Sequence, residues 1–178
     1  KWVLSLDADE ALSPGLIEEI KQIIFSAAVS SEAYAIKRVS FFSGKKIRYG
    51  DWSADKVVRL FRRLATIRFT PSMVHEHLIG YQRLATLKQV IFHNTMKDMS
   101  QVLMKLESYS SYGAQLAYQQ HKKSSLLKAI GHSFWCFIRG YLLRLGFLDG
   151  REGFILAISN ALGVFYRYVK LIYLYELG

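Results

Sequence analysis

The chain has 178 residues, 51% of them hydrophobic, with 24 Lys+Arg against 14 Asp+Glu for a formal charge of +10. That balance excludes an intrinsically disordered chain and supplies a core for one domain, or one domain with an appendage. The lone cysteine, Cys136, excludes an intrachain disulfide framework and an all-cysteine metal site, and a pI near 9.7 favours phosphate, nucleic acid or anionic lipid as partners.

Trp2 to Leu6 is a short apolar run that predicts a buried strand, and it ends in the acidic cluster Asp7-Ala8-Asp9-Glu10. Ser13 followed by Pro14 predicts a helix N-cap and first position, and Ile17, Ile20, Ile23, Ile24, Ala27 and Ala28 keep one helical face as far as the serines near residue 30. From 33 to 93, runs rich in Val, Ile, Phe and Tyr are broken at Ser43-Gly44, Gly50, Pro71 and Gly80. They predict strands near 33–42, 56–62, 73–79 and 86–93. From Met99 the period becomes helical through Ala117, and two more apolar helices are expected over roughly 125–147 and 152–175. The composition shift near residue 98 divides an α/β part, 1–98, from an all-helical tail, 99–178.

Lys128, Arg139 and Arg144 interrupt the first tail helix, and Phe154 to Tyr166 is apolar for thirteen residues before Arg167 and Lys170. Neither is expected to supply the roughly 20 apolar residues of a membrane span. Basic helices with Trp, Phe and Tyr among their apolar residues suit an anionic bilayer interface. The alternative is a pair of helices packed on the rest of the fold, with their basic side chains snorkelling to water.

Three clusters carry chemistry. Asp7 and Asp9, spaced i, i+2 after a strand, are hard oxygen donors that suit Mg²⁺ or Mn²⁺ bridging a diphosphate; an acidic turn or a capping cluster is the alternative. A calcium hand is disfavoured because the loop lacks its glycine. In His75-Glu76-His77, strand alternation sends His75 and His77 to one face and Glu76 to the other, and the spacing matches neither a zincin helix nor a cupin ligand set. Arg59-Leu60-Phe61-Arg62-Arg63, preceded by Trp52 and Asp55, suits phosphates and sugar rings, or is a solvated basic strand edge. No RRM, helix-turn-helix or zinc-finger pattern accompanies it, so nucleic acid is not expected as a partner.

The order of these features, Trp2-Val-Leu-Ser-Leu-Asp7-Ala-Asp9-Glu10, then Trp52 to Arg63, then Val74-His75-Glu76, resembles inverting family-2 glycosyltransferases of the lipopolysaccharide core β-1,4-glucosyltransferase-like branch. The stretch Leu148-Asp-Gly-Arg-Glu-Gly-Phe154, followed by an apolar basic helix, is similar to the C-terminal region of the same branch. The resemblance implies a GT-A nucleotide-diphospho-sugar transferase fold, here its C-terminal part, followed by an amphipathic helical tail. It also implies transfer from a nucleotide-sugar donor, with inversion, to a lipid-linked saccharide at the cytoplasmic face of the bacterial inner membrane. On that resemblance Asp7 and Asp9 bind Mg²⁺ or Mn²⁺ and the donor diphosphate, and Glu76 is the general base. His75 orients diphosphate or metal, a role it can share with Glu76 only if a bend or strand end turns both to the site, while Arg59 neutralises leaving-group charge and Trp52 stacks on a sugar. In that family the metal motif follows the strands that bind the nucleotide base, whereas here it begins at residue 7; a chain incomplete for catalysis is therefore expected. The competing class is a non-catalytic membrane-surface or interaction protein.

Overall fold

The computed structural model describes residues 1–26, 30–53, 55–70, 77–96 and 98–177. They form two compact units, Lys1–Phe41 with Ala54–Thr95, and Phe42–Ser53 with Met96–Gly178.

In the first unit, strands β1 (Trp2–Leu4), β2 (Glu10–Leu12), β3 (Ala33–Phe42), β5 (Lys56–Arg62) and β8 (Leu84–Met96) hydrogen-bond side by side in the order β1-β5-β3-β8-β2. The two-residue strands β6 (Arg68–Phe69) and β7 (Leu78–Ile79) pair separately. Side-chain alternation gives the sheet two apolar faces. Tyr34, Ile36, Leu60, Leu87 and Ile91 pack with Leu16 and Ile20 of α1 (Pro14–Phe25), while Ala33, Phe61 and Leu78 gather with Val3 and Val58 in a second cluster. Helix α1 starts as its sequence predicts: Ser13 Oγ accepts the Leu16 N–H at 3.3 Å and Pro14 occupies the first turn.

β3 and β5 have the expected bounds, and β8 is longer than expected at both ends. The first strand differs from expectation. It is half-buried rather than buried, because among the described residues it lies at the end of the strand order, beside β5 alone. Strand β2 was not foreseen. It is three residues long and begins on an acid, and its backbone is held by pairing with β8.

The second unit is helical. α2 (Met99–Gln119) and α3 (Leu126–Phe137) pack on α4 (Gly150–Glu176), and the stretch before them, including β4 (Lys45–Lys46), belongs to the same unit. Phe42, Ile47, Met96, Val102 and Leu156 form one core, and Ala114, Ala117 and Leu171 another. The helix expected over 125–147 ends earlier: a π turn spans Ile138–Leu143, and Leu145 then takes a left-handed φ of 58°. The Arg144 N–H bonds the Arg139 carbonyl at 2.8 Å, and this wider turn brings both guanidiniums onto Asp51, at 2.9 and 2.6 Å. Asp149 accepts the backbone N–H groups of Arg48 and Tyr49 at 2.9 and 2.8 Å, and Lys45 pairs with Glu152 at 2.6 Å. Contrary to the sequence expectation, Gly146–Glu176 is long and apolar enough to cross a membrane by length and composition alone, with Arg167 and Lys170 tolerated near its end.

Candidate functional site

The acidic loop is organised by the strands around it. β1 ends at Leu4, opposite Leu60, and the Ser5 N–H bonds the Arg59 carbonyl at 2.9 Å, so the following turn lies beside Arg59. β2 then pairs with β8 in a register that sets Glu10 opposite His93, and the Asn94 N–H bonds the Asp9 carbonyl at 2.9 Å.

The side chains form a charged row. Arg59 Nη2 pairs with both Asp7 Oδ2 and Glu10 Oε1. Arg38 from β3 approaches the same Glu10 oxygen at 3.5 Å and grips Asp55 through two bonds, at 3.0 and 2.6 Å. Glu10 has no side-chain exposure, and its other oxygen accepts the Asp7 N–H at 3.1 Å. Asp7 and Asp9 are the open members, with side chains 50% and 39% exposed. His93 Nε2 lies 3.2 Å from Asp9 Oδ2.

Burial works against the charge on Arg38, but Asp55 and Glu10 outweigh it and hold its pKa above the ordinary value. Burial, then the Arg38 charge, pushes His93 below the usual imidazole range despite Asp9 and Glu10. Because a carboxylate only accepts, the neutral ring turns its Nε2–H to Asp9. With four carboxylates, those of Asp7, Asp9, Glu10 and Asp55, against the two guanidiniums of Arg38 and Arg59, the row carries two surplus negative charges.

Asp7 and Asp9 are hard oxygen donors, the type that Mg²⁺ or Mn²⁺ takes as one or two carboxylates with water and substrate phosphate completing the shell. Among the described residues no group of three or more His, Cys, Asp or Glu side chains is arranged to hold a metal.

Of the residues singled out from sequence, Asp7, Asp9 and Arg59 are brought together here. Trp52 stands in the helical unit, where its indole N–H donates to Asn160 Oδ1 at 3.1 Å and its ring packs against the Phe42 cluster. His75 and Glu76 lie outside the described residues. His93, Arg38 and Glu10 are the additions. His93 had no motif to mark it, and only the β2–β8 register reveals its place beside Asp9.

No protein-family model matches the chain, and no solved structure matches it. It is similar to an uncharacterized glycosyltransferase of Rickettsia prowazekii (strain Madrid E), 29% identical over 179 residues covering 96% of this chain and 61% of the relative. An uncharacterized glycosyltransferase of Rickettsia typhi (strain ATCC VR-144 / Wilmington) is 28% identical with the same coverage, and one of Rickettsia conorii (strain ATCC VR-613 / Malish 7) is 28% identical over 96% of this chain and 64% of its own. The chain thus spans a little under two thirds of the length of these curated relatives, and the similarity supports a glycosyltransferase relationship.

Proposed function

We propose that this chain carries the metal- and diphosphate-binding side of an inverting glycosyltransferase of the family-2, GT-A kind. The observation that carries the reading is the charged row in which Asp7 meets Arg59, Asp9 meets His93 and Arg38 reaches the same Glu10 oxygen as Arg59, leaving two open carboxylates for a divalent cation and guanidiniums for phosphate oxygens.

Asp7 and Asp9 would hold Mg²⁺ or Mn²⁺, which when bound neutralises charge developing on the leaving diphosphate. His93 orients the Asp9 carboxylate, and Glu10 fixes the loop through the Asp7 N–H. Arg59 divides one terminal nitrogen between Asp7 and Glu10, so it can turn toward a phosphate while Glu10 keeps it in place. Arg38, clamped by Asp55, holds a second guanidinium against Glu10. In transfer, the acceptor oxygen bonds to the anomeric carbon as the bond from that carbon to the diphosphate oxygen breaks on the opposite face. The acceptor proton passes to Glu76, a role that rests on the family resemblance. We assign the nucleotide-sugar donor, a lipid-linked saccharide acceptor such as lipopolysaccharide core, and a peripheral location on the cytoplasmic face of the inner membrane to the whole protein.

Calorimetric titration of the chain with inorganic diphosphate and Mn²⁺ tests the site. Binding should require the metal and weaken by about tenfold or more in Asp9→Ala and in His93→Ala. Binding that is indifferent to a chelator, or unchanged in both variants, overturns the assignment. In the whole protein, near-parental turnover of Glu76→Gln would remove Glu76 as the base.

A further inference from the structure

Helix α3 is apolar on two opposite sides. Ala129 and Cys136 are buried on the side toward its neighbours, and the helix packs along α4. On the far side Leu127 is 80% exposed, Ile130 51% and Phe134 65%, at i, i+3 and i+7 on one helical ridge, with Trp135 54% exposed beside it. A helix partnered by protein on one face ordinarily turns polar side chains to water on the other. This one does not.

The charge along this stretch of the chain is of one sign. No Asp or Glu occurs between Glu107 and Asp149, whereas Lys122, Lys123, Lys128, Arg139 and Arg144 all fall there. Asp51 takes up Arg139 and Arg144. Lys122, Lys123 and Lys128 are exposed and have no ion-pair partner among the described residues. Two lysines thus precede the helix and the third lies one position from Leu127. An apolar ridge bordered by unpaired cations is complementary to an anionic bilayer surface, where side chains enter the acyl boundary and ammonium groups meet the headgroups. A second copy of the same face would set these lysines against each other.

We propose that the outer face of α3, Leu127, Ile130 and Phe134 with Lys122, Lys123 and Lys128, docks on an anionic bilayer surface. The proposal rests on the reading above only for a membrane setting, and its test uses neither donor nor acceptor.

The test is flotation of the 178-residue chain with phosphatidylcholine vesicles, with and without phosphatidylglycerol, across a salt series. Binding should require phosphatidylglycerol and weaken with salt. Leu127→Ser/Phe134→Ser should lose about tenfold or more in affinity. Lys122→Gln/Lys123→Gln/Lys128→Gln should lose on the order of a hundredfold. Leu103→Ser/Met104→Ser, on exposed positions of α2, should bind as the parent does. Every substituted side chain is exposed, and far-ultraviolet circular dichroism confirms the fold of each variant. Equal binding to neutral vesicles, binding unchanged in the Leu127/Phe134 variant, or a dimer in sedimentation that this variant dissolves would each overturn the proposal. Diphosphate and Mn²⁺ binding should be the same in all three variants, so failure here stays separate from failure of the transferase reading.

Discussion

The buried carboxylate of Glu10 accepts a hydrogen bond from Arg59 Nη2 at 2.7 Å, tying β2 to β5 through one ion pair. Its second oxygen takes the Asp7 N–H, so the same side chain also fixes the loop that presents Asp7 and Asp9.

Glu10→Gln keeps the shape but removes the charge between two guanidiniums. Breaking a buried pair from one side costs about 3 kcal/mol or more. Urea unfolding should show that loss, whereas Arg63→Ala, on an exposed side chain of the same sequence run, should stay within about 0.5 kcal/mol of the parent. Equal midpoints for the two variants would refute the role given to Glu10.

His93 should titrate below 6.5, because burial and then the Arg38 charge favour its neutral form. Histidine NMR should place the midpoint there, and Arg38→Gln should raise it. A folded-state pKa below the unfolded one means the contribution to stability is present above the unfolded value and lost as pH falls through the folded value. The parent should therefore lose stability more steeply on acidification below pH 6.5 than His93→Gln does.

Glu152 is held down to about 2 from an ordinary 4.5, chiefly by the hydrogen bond from Lys45, with Arg151 adding to it. Its contribution is present above 4.5 and lost as pH falls through about 2. Melting temperatures of the parent and of Glu152→Gln should differ at neutral pH and converge near the lower value. A gap that persists at pH 2 would contradict the ion pair as its source.

Two glycines of the helical unit should respond in opposite directions. A Cβ on Gly153 would lie 1.9 Å from the Gly146 carbonyl oxygen, so Gly153→Ala must displace backbone and should cost about 3 kcal/mol or more. A Cβ on Gly131 meets nothing within 4 Å, so Gly131→Ala in the middle of α3 should stabilise by about 0.5–1 kcal/mol. Thermal unfolding of the two variants checks both signs.

Strands β3 and β5 are legible because branched and aromatic residues recur through them between turn residues. β2 is not: a three-residue strand opening on Glu10 has no period of its own and exists through the β8 backbone. The π turn after Phe137 was equally hidden, since the apolar run continues through it; Asp51 collects Arg139 and Arg144 across it from a distant part of the chain. Within the site, Asp7, Asp9 and Arg59 were marked by residue type and spacing, while His93 sits 84 positions from Asp9.

By itself, the sequence determined the element types over its periodic stretches, the change from strands to helices near residue 98, and the hard oxygen donors at Asp7 and Asp9, because period and side-chain chemistry are local properties. Tertiary structure decided which groups meet: Glu10 between Arg38 and Arg59, His93 against Asp9, Trp52 bonded to Asn160, and the bare outer face of α3. Pairing register and helix packing set those meetings, and both depend on residues far apart in the chain.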